Sequence, residues 1–130
     1  LILDSSAIVA IIRREYGYAS LVEAMERASK LVISETTLAE ANGFLVGHLD
    51  VLGRAILSRF LEENRVDVIP FDSCHRSLAL GAITRYGSGR HPAALDTADC
   101  MTYATARLAD LPLLFVGDGF AKTDLTPALA

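Results

Sequence analysis

The chain has no surplus of basic residues. Twelve Lys and Arg stand against sixteen Asp and Glu, a formal net charge of −4. That excludes a protein that wraps nucleic acid through its overall charge. A nucleic-acid role would need a local basic patch, or metal ions that offset the acids. Long apolar runs are missing too. None approaches the roughly 18 residues of a membrane span. The N-terminus has no succession of basic, apolar and small residues such as a secretion signal carries. No membrane partner and a cytoplasmic location are therefore expected. Cysteine is scarce: Cys74 and Cys100 lie far apart, in no metal-binding spacing. Both fall in helical patterns and are expected to be buried free thiols in a reducing compartment. No set of His and Cys suits zinc. Tyr16, Tyr18, Tyr86 and Tyr103 form no interleaved ladder for stacking bases. Repeats, linkers and low-complexity tracts are absent.

Apolar material is plentiful. At 130 residues and 52% hydrophobic, the chain fits one domain, residues 1–130. It opens on Leu1-Ile2-Leu3-Asp4, an apolar run ending in a carboxylate, with Ser5 or Ser6 placed to cap a helix over residues 5–14. A second helix is predicted over 18–29 and a short strand over Leu31 to Ile33. Another helix starts at Ser34, a turn follows at Gly47 to Asp50, and residues 51–64 are amphipathic. Val66 to Ile69 read as a strand stopped by Pro70, residues 73–85 as a helix, and residues 86–92 as a loop. Leu95 to Ala109 are helical and Leu113 to Val116 form the last strand. This alternation predicts an α/β fold: a central parallel sheet of four to five short strands, right-handed crossovers, and helices on both faces. The apolar faces of residues 18–29 and 38–61 exceed what a small sheet needs, which leaves room for a dimer or partner groove.

The acids mark where chemistry would sit. Ligands of open α/β sheets bind beyond the carboxyl ends of the strands. Asp4 ends the first strand, and Asp118, in Leu114-Phe115-Val116-Gly117-Asp118, follows the last. Neighbouring strands would bring them to one crevice. Asp4 equally suits a helix N-terminus. Glu40 lies about two turns into the helix after Ser34, on its solvent side or over the same crevice. Asp96 is placed to be an N-cap and Asp99 stands at the third helical position, where acids are also favoured; Asp99 can also turn inward beside Asp4. Asp124 suits a turn or cap. Several carboxylates that close together stay ionised only if a cation joins them. An all-oxygen set selects a hard ion, Mg²⁺ or Mn²⁺, the kind of site that activates water in phosphodiester cleavage.

Four segments carry a family resemblance: Ile2-Leu3-Asp4-Ser5-Ser6-Ala7, Ser34 to Glu40, Arg90 to Cys100, and Leu114 to Phe120 followed by Thr123-Asp124. In that order and spacing they resemble the PIN-domain ribonucleases, and among them the VapC-type toxins of prokaryotic toxin–antitoxin pairs. The resemblance runs from Ile2 to about Leu125. It implies that Asp4, Glu40 and Asp99 are the core metal-binding acids, that Asp118 is the fourth, and that Ser6 supports the site by hydrogen bonding. It also implies an endoribonuclease dependent on Mg²⁺ or Mn²⁺; attack by metal-activated water, in which the 2′-hydroxyl need not take part, is the expected chemistry. A homodimer and a cognate VapB-type antitoxin are the implied partners. Many relatives have Asn where Asp96 stands, Gly where Ala98 stands and an acid where Gly119 stands. Asp96 keeps the capping chemistry but adds charge beside the site, as a cap or an outer supporting group.

Arg85, Arg90 and Lys122 are the candidates for a local basic patch against RNA. Arg13 and Arg14 end the first helix, where cations suit the dipole and could face an acidic antitoxin tail. His48, His75 and His91 read as structural or solvent-facing. Other phosphoryl-transfer domains fit less well: a phosphatase using Asp4 as nucleophile would want a second Asp where Ser6 stands. A receiver domain would want one where Pro70-Phe71 stands. A binding module that keeps the fold and acts by sequestering a partner is the alternative from another class.

Overall fold

Strands put successive side chains on opposite faces of a sheet, and in this computed structural model that alternation sorts the core into two layers. Residues 1–129 are described; Ala130, the last of the expected domain, lies outside them. Strands β1 (Ile2–Leu3), β2 (Val32–Ser34), β3 (Asp67–Ile69) and β4 (Leu113–Leu114) form one sheet in the order β3-β2-β1-β4. Every pairing is parallel. Ile2 stands beside both Val32 and Leu113, and these three pack with Ala82, Tyr86, Leu95, Cys100 and Tyr103. Leu3, Ile33 and Leu114 turn the other way, onto Ile8, Leu21, Met25, Leu45 and Leu57. Burying an aliphatic side chain of this size contributes about 1.5–3 kcal/mol, so six strand residues anchor both layers.

Helices α1 (Ser5–Ile12), α2 (Tyr18–Arg27), α3 (Glu35–Leu49) and α4 (Val51–Glu63) cover the Leu3 face. Helices α5 (Ser73–Tyr86) and α6 (Thr97–Ala109) cover the Ile2 face. The parallel sheet with helices on both faces is thus the one expected, with four strands. No helix of the described residues is long and apolar enough to cross a membrane. Both sheet edges are protected. On one side β3 carries the exposed Asp67 and ends at Pro70, features that discourage further pairing. On the other, the tail runs beside β4: Leu113 N–H donates to the Thr126 carbonyl and Ala128 N–H to the Leu113 carbonyl.

Several boundaries differ from the sequence reading. The turn expected at Gly47 to Asp50 is helical as far as Leu49. Only Asp50, at φ 53° and ψ −140°, breaks the chain between α3 and α4. The two helices meet closely there. A side-chain carbon on Gly53 would lie 2.4 Å from the Leu45 carbonyl oxygen, so only glycine fits. Asp4, rather than Ser5 or Ser6, caps α1, its carboxylate accepting from Ser6 N–H. Cys100 is buried as expected, but Cys74 is exposed, because it falls on the outer face of the first turn of α5. The apolar face of α2 is consumed by Leu21 and Met25 in the core. At the α3–α4 turn, by contrast, Val51 and Leu52 remain 83% and 64% exposed.

Candidate active site

Asp4 reaches the carboxyl edge because β1 stops at Leu3 and α1 begins at Ser5, leaving one extended residue between them. Its backbone N–H still pairs with the Leu114 carbonyl at 3.0 Å, so the residue is fixed to the sheet. The side chain is 4% exposed. Ser6 donates to its Oδ2 through both the backbone N–H, at 3.1 Å, and the hydroxyl. The same Ser6 hydroxyl accepts from Val116 N–H at 3.0 Å. Ser6 therefore joins Asp4 to the segment after β4. Burial pushes the Asp4 carboxyl above its usual range, against those hydrogen bonds.

Glu40 comes from the second turn of α3, which starts at the edge of β2 because Ser34 caps it through Thr36 N–H. Ser5 Oγ donates to Glu40 Oε1 at 2.6 Å. Desolvation raises the Glu40 carboxyl, and the charges of Asp4 and Asp96 raise it further. Asp99 lies at the third position of α6. It exchanges hydrogen bonds with Asp96: Asp99 N–H donates to Asp96 Oδ1 at 2.8 Å, and Asp96 N–H donates to Asp99 Oδ2 at 3.0 Å. Asp96 is thus the N-cap it was expected to be. Asp99 is raised to about 6, first by desolvation and then by the charges of Asp96 and Asp4.

Asp4, Glu40, Asp96 and Asp99 therefore act on one another electrostatically, and none forms an ion pair with Lys, Arg or His among the described residues. A buried carboxylate without a cation costs several kcal/mol. The donors are all oxygen, and the burial that raises Asp4, Glu40 and Asp99, together with the like charges that raise the last two, is what a hard divalent ion would offset. By donor chemistry and by charge the site fits Mg²⁺ or Mn²⁺. The side chains are not closed into a cage: among the described residues no group of three or more His, Cys, Asp or Glu is arranged to hold an ion. Each carboxylate instead takes hydrogen bonds from serine or from a backbone N–H, contacts that must loosen or share when an ion is held.

No hydrogen bond among the described residues ties Asp118 to this cluster, and its charge raises none of the cluster's acids. Strands β1 and β4 are neighbours, as the convergence required. Asp4 follows its strand at once, however, whereas β4 ends at Leu114 and the chain turns through Gly117 at φ 109° before Asp118. Asp118 is exposed and borders a groove with Leu113, Phe115, Gly117, Ala121, Pro127 and Leu129. Val116 takes the place beside Ser6. Among the basic candidates, Arg85 lies 3.6 Å from Asp124 and over the Tyr86 ring, while Arg90 and Lys122 are exposed. Tyr103 Oη donates to Asp124 at 2.7 Å, which makes Asp124 a structural acceptor. His75 completes the cap of α5 with Asp72, His48 stacks on Phe44, and His91 packs edge-on against Tyr86.

Sequence reasoning missed Ser5 as the partner of Glu40, and it missed Thr37 and Thr102, buried behind the acids. The Ser5–Glu40 bond spans 35 residues, a tertiary contact with no local pattern. The threonines had a signal: Thr37-x-x-Glu40 and Asp99-x-x-Thr102 each place a hydroxyl one helical turn from an acid.

A pH prediction follows from Asp99. Its folded value of about 6 exceeds the ordinary 3.8. Its contribution to stability is therefore complete below about pH 4 and is lost as pH rises through about 6. In chelator, the melting temperature of Asp99→Asn minus that of the parent is expected to grow more positive between pH 4 and pH 7. A difference independent of pH would contradict the raised value.

A sheet that delivers acids from β1, α3 and α6 to one edge invites comparison with known proteins. Ribonuclease VapC36 of Mycobacterium tuberculosis is 42% identical over 126 residues, covering 96% of this chain and 91% of that protein. The crystal structure of Mycobacterium tuberculosis VapC20, a Sarcin-Ricin loop cleaving toxin, superposes with a TM-score of 0.77 at 11% identity, over 96% of this chain and 95% of that one. VapBC2 from Rickettsia felis, bound to a DNA fragment of its promoter, gives 0.72 at 18% identity, over 93% and 90%. The PIN domain model matches residues 1–125, a span that takes in all four strands, all six helices and every acid of the cluster, and the chain belongs to the PIN domain family.

Proposed function

We propose that the chain is an endoribonuclease toxin of a type II toxin–antitoxin pair, dependent on Mg²⁺ or Mn²⁺ and neutralised by a VapB-type antitoxin. The observation that carries this reading is the placement of Asp4, Glu40 and Asp99 from three chain segments at one sheet edge, where the charge of Asp4 raises both of the others and no cation pairs with any of them among the described residues. The VapC ribonucleases among its relatives support the activity. The toxin–antitoxin complexes among its structural neighbours support the partner.

Asp4, Glu40 and Asp99 would hold the ion. When bound, it supplies positive charge that polarises water and steadies the phosphate oxygens. Ser6 keeps Asp4 directed along the sheet edge, and Ser5 does the same for Glu40 from one turn of α1. Asp96 fixes the start of α6, and with it the height of Asp99. Its own charge adds to the negative field at the site. Asp118 acts from outside the cluster, on the rim. Arg90 and Lys122, exposed, and Arg85, shared with Asp124, provide the positive charge that RNA phosphates meet in a chain of net charge −4. Val51, Leu52 and their neighbours on the α3–α4 turn suit burial against the antitoxin or a second copy.

Incubation with total RNA tests the reading. Discrete cuts are expected with Mg²⁺ or Mn²⁺, none with chelator and none with Asp99→Asn, and the new ends should be 5′-phosphate and 3′-hydroxyl. A 2′,3′-cyclic phosphate would overturn the chemistry. Folded, metal-loaded protein that cuts no RNA would favour partner sequestration instead.

A further inference from the structure

Behind the acids lies a buried pair of hydroxyls. Thr37 Oγ1 and Thr102 Oγ1 are 3.2 Å apart, on side chains 3% and 1% exposed. They join helices α3 and α6, which carry Glu40 and Asp99. Thr37 precedes Glu40 by three residues and Thr102 follows Asp99 by three, so each threonine shares a helix face with its acid. Three features set the pair apart from ordinary packing. First, its 65-residue separation makes it a direct tie between two helices whose buried apolar residues belong to different core layers. Second, the Thr102 hydroxyl favours the Asp4 carboxylate, against the burial that raises it. Third, the proton count gives the pair a direction. Asp4 as a carboxylate can only accept. For Thr102 to turn its proton toward Asp4, Thr37 must supply the proton between the two threonines.

We propose that the Thr37–Thr102 pair is a positioning device for the ion, setting the spacing of Glu40 and Asp99. The proposal rests on the metal reading above. Such outer partners of a metal ligand typically contribute 10–100-fold in metal affinity, which sets the size of the effect. Thr102→Val keeps the shape and removes the hydroxyl; Thr102→Ser keeps the hydroxyl and removes a methyl.

Mn²⁺ binding, followed by titration calorimetry without RNA on the full chain, is the test. The parent is expected to bind saturably. Thr102→Val and Thr37→Val should each bind at least roughly tenfold more weakly, Thr102→Ser within about twofold of the parent, and the double valine variant no worse than the poorer single one. In cleavage assays at saturating Mn²⁺ the KM for RNA should stay near the parent value. If Thr102→Val does not fold, Thr37→Val is decisive alone. Parent-like Mn²⁺ affinity in folded Thr37→Val or Thr102→Val overturns the positioning role while leaving the metal site standing. A parent that binds no Mn²⁺ overturns both. Equal weakening by Thr102→Ser would assign the effect to packing and overturn the proposal too.

Discussion

Asp4→Asn should lower metal-dependent RNA cleavage by more than roughly a hundredfold, beyond what outer partners of a metal ligand are worth, and yet melt at a higher temperature than the parent in chelator. The two expectations have one cause. Asp4 is nearly fully buried, is held by Ser6 and the sheet, and has no cation beside it. Its raised carboxyl shows that the folded chain tolerates the ionised form less well than water does. Asparagine is as good an N-cap as aspartate, so α1 keeps its start. The variant loses the helix-dipole attraction for a negative charge, about 0.3–1 kcal/mol, and the charge-assisted part of the Ser6 hydrogen bonds, while it sheds a larger burial penalty and the repulsion from Glu40 and Asp99. The rise should be a few degrees at pH 7.5 and should vanish or reverse when Mn²⁺ is saturating, since the ion stabilises only the chain that binds it. Cleavage within tenfold of the parent, or a metal-free variant that melts lower than the metal-free parent, would contradict the placement of Asp4.

Gly53→Ala is expected to destabilise the fold by about 2–3 kcal/mol, the upper range for forcing extra volume into a packed interior. Alanine normally favours a helix over glycine by about 1 kcal/mol, so the sign depends on what the new methyl meets. At Gly53 it meets backbone: the Leu45 carbonyl oxygen at 2.4 Å, its carbon at 2.5 Å and Val46 N at 2.8 Å. No side-chain rotation relieves that, and α4 must move off α3. Gly81, exposed within α5, is the control, since nothing lies within 4 Å of its added carbon. Gly81→Ala should stabilise by about 0.5–1 kcal/mol. At this chain length the Gly53 variant should melt on the order of ten degrees lower and the Gly81 variant a few degrees higher. Shifts of the same sign would show that helix propensity, not the α3–α4 approach, governs both.

Apolar runs ending in Asp4 and at Ile69 made the strands legible, and Ser34 and Asp96 marked two helix starts by their capping chemistry. The parallel arrangement followed from alternation alone. Legibility ended where tertiary geometry decides. The first strand ends in Asp4 and its helix follows directly, so the acid stayed at the edge. The last ends four residues before Asp118, and the left-handed Gly117 turned that acid away, a difference of backbone angle invisible in a string of letters. The helix through Gly47 persists because the exposed glycine is tolerated there and Asp50 takes the break. The Ser5 hydroxyl was unreadable as a partner because its contact joins distant segments; the spacing of Thr37 and Thr102 from their acids was legible, but their contact with each other was not.

The neighbourhood of the first and last strands governs when this protein can act. Asp4 takes its backbone hydrogen bond from the sheet through Leu114, and Ser6 is tied to Val116, 110 residues further on. Synthesis proceeds from the N-terminus at roughly 5–20 residues per second, so Asp4 and Glu40 leave the ribosome many seconds before the segment that locks them in place. Until then a nascent chain can hold Asp4, Glu40 and even Asp99, yet it has no closed sheet edge and no competent site. On the proposed reading, cleavage is thereby silent until both ends of that sheet edge have been made.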